Sequence, residues 1–164
     1  MRKNMAKLNL GCGKDYRQGW FNVDCRRDLK TDFVHNLNKF PYPFKDNFFS
    51  KADLKMILEH LRNPIKVLKE MQRICKNNAL VKVIVPHANS YANKTDLQHK
   101  TNFTENSFSP ELLDEYGLKQ LKLVKKDFLF PTNKWKKIIP FKKYFKIFFN
   151  GIYDDLFFEF KVVK

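Results

Sequence analysis

Two short apolar runs near the start of the chain, residues 7–10 and 20–23, stop at Gly11 and Asp24, and so little chain joins them that no full helix fits between. Both runs read as buried strands that end at polar turns. In an open α/β sheet, ligands bind where loops leave the carboxyl ends of the strands, and glycines there let backbone approach the ligand closely. Gly11 and Gly13 stand at such a place. An acid at the end of the next strand can accept hydrogen bonds from both hydroxyls of a ribose, and Asp24 is positioned for that role. A dinucleotide fingerprint would need a third glycine, a helix N-terminus for the pyrophosphate and an acid ~20 residues further on. Here Gly13 is followed by Lys14-Asp15-Tyr16, and Asp24 comes eleven residues after Gly13. A cofactor carrying ribose and adenine without phosphates suits the short connection better.

The rest of the chain alternates strand and helix signals. Phe33-Val34 begins a third strand, and Phe40-Pro41-Tyr42-Pro43-Phe44 must be a loop, because each proline removes a donor and restrains the residue before it. Residues 52–58 read as a fourth strand running into a turn. Asn63-Pro64 is an N-cap with proline in the first helical turn, and Ile65, Leu68, Met71, Ile74 and Cys75 give one apolar helical face, broken at Asn77-Asn78. Residues 80–85 are the clearest strand, β-branched, closed by Pro86 and expected to be central. A polar stretch, 87–107, is long enough for a functional loop. Ser109-Pro110-Glu111 starts a helix that Gly117 ends. Residues 121–130 and 156–163 are strand-like. The expectation is an α/β sheet, mostly parallel, with helices on both faces and an antiparallel C-terminal edge, in one domain over 1–164 with an insertion at about 132–154.

Composition adds little to the fold and more to the choice of partner. The formal net charge of +15 favours anionic partners, although the abundance of Lys, Asn, Phe and Ile also suits an AT-rich coding sequence. Locally, residues 134–146 hold six lysines and no acid, interleaved with Trp135, Phe141, Tyr144 and Phe145. Three readings are open for residues 135–149, up to Phe149: an apolar face packed on the core or a partner, a peripheral contact with a membrane surface, or single-stranded nucleic acid with bases on the aromatics. Pro140 argues against one unbroken helix in each. No apolar run approaches the ~18 residues that span a bilayer, and a soluble, cytoplasmic protein is expected. Cys12, Cys25 and Cys75 form no C-x-x-C pair, so neither a disulfide framework nor a metal site is expected.

Leu8-Asn9-Leu10-Gly11-Cys12-Gly13, Gly19-Trp20-Phe21-Asn22-Val23-Asp24, Leu37-Asn38-Lys39-Phe40-Pro41-Tyr42-Pro43-Phe44 and Ile57-Leu58-Glu59-His60-Leu61 together resemble the signature of class I S-adenosylmethionine-dependent methyltransferases of the type 11 kind. The resemblance is to a compact branch in which the helix after the glycine turn is cut short. It continues through Asp96-Leu97-Gln98-His99-Lys100, Phe103-Thr104 and Ser107-Phe108 to the last strand. It implies a Rossmann-like seven-stranded sheet that binds S-adenosylmethionine. Gly11, Cys12 and Gly13 would lie beneath the methionine part, Asp24 on the ribose, Asn36 and Leu37 beside the adenine, and Leu54 with Lys55 near the methionine amino group. The family commonly has Asp at the positions of Asn36 and Ser50; an Asn carbonyl oxygen can still serve the adenine amino group.

Methyl transfer from a sulfonium is an in-line displacement, driven largely by holding donor and acceptor in line with water excluded. For a hydroxyl acceptor a histidine is a suitable base. His99 is the first candidate, with Asp96 three residues before it to orient the ring. His87 is the second, and His60 is read as ordering its turn. The Asn-Pro-Pro-aromatic tetrapeptide that the resemblance associates with amine and amide methylation is replaced by Lys55-Met56-Ile57-Leu58, which favours a hydroxyl of a small molecule, glycan or lipid-linked precursor. The alternatives are an RNA methyltransferase and a non-catalytic binding module that keeps the fold.

Overall fold

The computed structural model describes residues 6–130, 138, 140, 141, 144 and 151–164. Most of the lysine and aromatic segment, including Trp135, Phe145 and Phe149, lies outside the described residues, and so does the interpretation of it as a membrane or nucleic-acid contact. Among the described residues no helix is long and apolar enough to cross a membrane.

Seven strands form one sheet: β1 (Ala6–Leu10), β2 (Phe21–Asp24), β3 (Phe33–Val34), β4 (Phe49–Lys55), β5 (Cys75–Pro86), β6 (Leu121–Leu129) and β7 (Asp155–Val162). Their order is β3-β2-β1-β4-β5-β7-β6, so β4 is central and β5 is its inner neighbour. Strands β1 to β5 pair in parallel, while β7 runs antiparallel to both β5 and β6, giving the expected C-terminal edge. The helices are α1 (Pro64–Ile74), α2 (Tyr91–Thr95) and α3 (Pro110–Glu115), with a single 3₁₀ turn at Leu58–His60.

Local chemistry explains these boundaries. Asn63 accepts from the Lys66 amide at 2.9 Å and caps α1, with Pro64 in the first turn where its missing donor costs nothing. Val67, Leu68, Met71 and Ile74 are the buried face of α1, and Cys75 already belongs to β5. Instead of separating helix from strand, Asn77-Asn78 bulges within β5: Phe49 pairs with Cys75 but Lys51 pairs with Leu80, and Asn78 adopts φ 64°. Strand β4 is displaced toward its start relative to the apolar run. The run continues past Lys55 because Ile57 packs beneath Gly11 and Leu58 enters the core from the 3₁₀ turn, with Met56 at φ 51° ending the strand.

One face of the sheet holds the core. Leu8, Leu10, Ala52, Leu54, Val81, Val83, Phe158 and Phe160 are buried there, and α1 and α3 pack Val67, Leu68, Met71 and Leu113 into the same cluster. The alternate strand positions carry Lys7, Asn9, Lys51, Asp53, Lys82 and Glu159, and the 14–20 loop lies against that side through the Arg17–Asp53 ion pair. A polar network holds the loop down. Asn22 donates to the carbonyls of Arg17 and Trp20 and to Asp32, and accepts from the Arg17 amide and from Asn9. Asn9 also donates to the Asp15 carbonyl at 2.7 Å. Arg17 bridges Asp15 and Asp53, and its guanidinium lies 5.1 Å from the Trp20 ring centroid.

The side chain of Asn22 is fully buried, and it holds both ends of the connection between β1 and β2. Replacing it leaves several buried groups without partners at a cost of about 1–3 kcal/mol each, partly recovered by water. Asn22→Ala is expected to lose roughly 2–3 kcal/mol of stability in urea denaturation with little change in the slope of the transition.

Candidate active site at the carboxyl edge

Strands β1, β2, β4 and β5 deliver their ends to one edge of the sheet. The Gly11 and Cys12 amides both donate to the Val23 carbonyl, at 2.8 and 3.0 Å, which folds the glycine turn over the end of β2. Asp24 completes the contact: its Oδ2 accepts from the Gly13 amide at 2.9 Å and its Oδ1 from the Arg26 amide at 3.0 Å. The two glycines answer different needs. A Cβ on Gly11 would meet Ile57 Cγ1 at 2.4 Å, whereas a Cβ on Gly13 would have nothing within 4 Å, although both residues have positive φ. Gly11 is required by packing beneath the turn, and Gly13 leaves open space above it. Cys12 is buried, and burial followed by the Asp24 charge pushes its thiol up to about 11, so it is neutral and unreactive at physiological pH.

The remaining residues singled out from the sequence fall in different places. Lys55 is exposed at the end of β4, close enough to Asp15 and Asp155 for its charge to act on both. Leu54 and Leu37 are buried in the main core, and the Leu37 carbonyl accepts from the Tyr42 hydroxyl. Asn36 is exposed, with Oδ1 accepting from the Asn38 amide. Ser50 sits near the start of β4, at the opposite end from the glycine turn, and donates to the Ala6 carbonyl. His87 is almost fully buried between two partners: Nδ1 accepts from the Asn89 amide at 3.0 Å, so Nε2 carries the proton toward Glu105 at 3.3 Å. Those bonds suit a ring that fixes the loop after β5.

His99 and Asp96 do meet. His99 Nε2 lies 3.6 Å from Asp96 Oδ2, and the His99 ring packs edge-on against His60 with centroids 4.7 Å apart. Glu59 stands beside them, its Oε1 3.9 Å from His60 Nε2. The 3₁₀ turn and the 96–101 loop are joined here, since the amides of Lys100 and Thr101 both donate to the Glu59 carbonyl. Burial raises the Glu59 carboxyl to about 7, with the Asp155 and Asp96 charges adding to the effect, and burial followed by His99 lowers the His60 imidazole. Sequence reasoning passes over Glu59, because an acid beside a histidine in a turn is ordinary on a surface. Its complete burial is what distinguishes it.

No protein-family model matches the sequence, and neither does any curated protein. Solved structures match over nearly the whole chain. A SAM-dependent methyltransferase of Archaeoglobus fulgidus is 16% identical with a TM-score of 0.68, the match covering 96% of this chain and 86% of that one. An S-adenosylmethionine-dependent methyltransferase of Mesorhizobium loti is 10% identical with a TM-score of 0.62, covering 96% and 91%. The cyclase SpnF is 11% identical with a TM-score of 0.62, covering 97% and 74%. The chain therefore has the Rossmann-like fold of these methyltransferases. That a cyclase has it too leaves the chemistry to be argued from the site.

Asp155 offers a pH test of the edge. Burial, then the charge of Asp154, raises its carboxyl from 3.8 to about 6. A raised folded value means that the folded state holds the proton more tightly than the unfolded one. The associated stability is complete below pH 3.8 and is lost as pH rises through about 6. The Asp155→Asn variant keeps a neutral side chain throughout, so its thermal midpoint relative to wild type is expected to rise from pH 4 to pH 7; the comparison is made by calorimetry at matched ionic strength.

Proposed function

We infer that the chain is an S-adenosylmethionine-dependent methyltransferase. The observation that carries this reading is the Asp24 carboxylate bonded to the Gly13 amide at the carboxyl edge, beside a glycine with open space above it. That arrangement suits a nucleoside: each carboxylate oxygen has a second lone pair for a ribose hydroxyl, and the bare Gly13 backbone admits the rest of the cofactor. Gly11, Cys12 and Gly13 would lie under its methionine part, with Lys55 nearby, and Asn36 and Leu37 beside the adenine. Leu37 and Leu54, whose side chains are buried, would contribute through backbone. The bound cofactor supplies an electrophilic methyl group on a sulfonium.

The acceptor we propose is a hydroxyl of a small molecule, glycan or lipid-linked precursor. A hydroxyl must lose its proton during transfer, and the cluster of Glu59, His60 and His99, with Asp96 behind His99, is the group of titratable side chains suited to handle it. Cys12 is too weakly acidic, and His87 is held at both nitrogens.

Calorimetric titration with S-adenosylmethionine is expected to give one site per chain. Asp24→Ala should weaken binding at least tenfold, and absence of heat from the wild type at high cofactor concentration would exclude the assignment.

A second reading, RNA as the methyl acceptor, is favoured by a row of lysines on the side of the sheet opposite the apolar core. Lys7, Lys51, Leu80, Lys161 and Lys122 pair in register across five strands on that side, so four lysines share one row. The Trp20 ring lies under two of them, with Lys51 Nζ 4.8 Å and Lys7 Nζ 5.6 Å from its centroid. Under this reading single-stranded RNA binds with strong salt dependence, and replacing Lys7, Lys51 and Lys161 by Ala flattens the salt slope by up to about 2. An unchanged slope would leave the small-molecule reading.

A further inference from the structure

Among the described residues six buried side-chain atoms have no hydrogen-bond partner, and four of them belong to three side chains at or beside the 3₁₀ turn. Both carboxylate oxygens of Glu59 are buried without a hydrogen-bond partner, and so are Nδ1 of His60 and Nδ1 of His99. Glu59 is fully buried. A buried polar group left unsatisfied in this way destabilises the fold. One ligand atom from each of the three residues can be chosen so that all lie within 4.8 Å of one another. A hydrogen-bond donor from outside would satisfy one of these atoms; a cation would satisfy all three residues together.

We propose that Glu59, His60 and His99 bind one divalent transition-metal ion of the zinc class. Two imidazoles and a carboxylate are a donor set for zinc and its neighbours in the first transition row, whereas magnesium and calcium require mainly oxygen ligands. A tetrahedral ion with ~2.1 Å bonds needs ligand atoms about 3.4 Å apart. The imidazoles of His60 and His99 would rotate to close that distance. Asp96 supports the arrangement from behind: it lies 3.6 Å from His99 Nε2, which leaves the buried Nδ1 of the same ring as the ligand atom, and a carboxylate behind a ligating histidine is the usual second layer of such sites. The Lys100 and Thr101 amides on the Glu59 carbonyl fix the two segments to each other, so the ligands from both are held in place before an ion arrives.

Three protein ligands leave a fourth position for a group from outside the protein. In the methyltransferase reading, on which this role alone rests, that group is the acceptor hydroxyl. The ion would then lower the pKa of the hydroxyl and orient its oxygen, in place of direct proton transfer to the imidazoles, and the proton would leave to solvent. Binding of the ion itself does not depend on that reading.

The test uses the full chain after treatment with a chelator. Titration with zinc in a calorimeter is expected to show one ion per chain, with a rise in thermal midpoint, and cobalt is expected to give the visible absorption of a tetrahedral site. Asp96→Asn should weaken zinc binding about 10–100-fold, and Glu59→Gln and His99→Ala should weaken it further, each checked for folding by circular dichroism. Asp96 is on the surface, so its variant keeps the test open if the buried ones fail to fold. Absence of saturable one-to-one binding to the wild type, or equal affinity in folded Asp96→Asn and His99→Ala chains, would overturn the proposal. Titration of the same metal-free chain with S-adenosylmethionine reports on the methyltransferase reading separately, so either can fail without the other.

Discussion

The hydrogen bonds of Asn22 hold together what the first two strands need in order to present a site. An α/β crossover ordinarily uses a helix to carry the chain from one strand to the next and to cover the sheet. Here the connection is too short for one, and its backbone polar groups would be stranded against the sheet without partners. Asn9 and Asn22, side by side in the β1–β2 register, supply those partners from within the strands themselves. Asp32 closes the network on the β3 side, accepting from both the amide and the side chain of Asn22. A buried polar network of this kind is favourable only when its members are satisfied, and this one returns a bond to nearly every group it buries.

The consequences reach the edge of the sheet. With the loop held flat, Gly11 and Cys12 fold onto Val23, Gly13 reaches Asp24, and Ile57 fills the space below Gly11. The Ile57 contact passes the geometry on to the 3₁₀ turn that it caps, where Glu59 is buried and its carbonyl is bound to the 96–101 loop. The glycine turn with Asp24 and the carboxylate–imidazole cluster thus stand on neighbouring turns of one edge. Among the described residues the core layer beneath them comes from α1 and α3, and the strand positions facing the other side carry mostly charged and polar residues.

Much of this is legible in the residues, and the failures have physical causes. The strand ends at Gly11 and Asp24, the capped start of α1 at Asn63-Pro64 and the antiparallel last pair follow from local patterns whose partners are close in sequence. The missing helix between Gly13 and Asp24 could be read by counting. The bulge at Asn77-Asn78 could not, since two asparagines break a helix and kink a strand equally well, and only pairing with β4 decides between them. The bounds of β4 were obscured because Ile57 and Leu58 are apolar for packing reasons outside the strand. Asp96 and His99 adjoin as their spacing suggests, but the place of His60 and Glu59 beside them depends on two segments some forty residues apart being brought together. Leu37 and Leu54 illustrate the opposite limit: the same apolar side chain serves a ligand pocket or a core, and burial in the core cluster is a property of the folded chain.

The central claim is that a nucleoside cofactor binds where Gly13 meets Asp24. A separate cleft of about 620 Å³, lined by Lys7, Trp20, Phe21 and Phe48, opens at the amino ends of the strands and provides an internal control. Backbone amide resonances recorded during titration with S-adenosylmethionine discriminate between the two. The account predicts saturable shifts at Gly11, Cys12, Gly13 and Arg26, with Lys7, Phe21 and Phe48 unmoved. Shifts centred on the amino-terminal cleft, or none at the glycine turn at saturating cofactor, would contradict it.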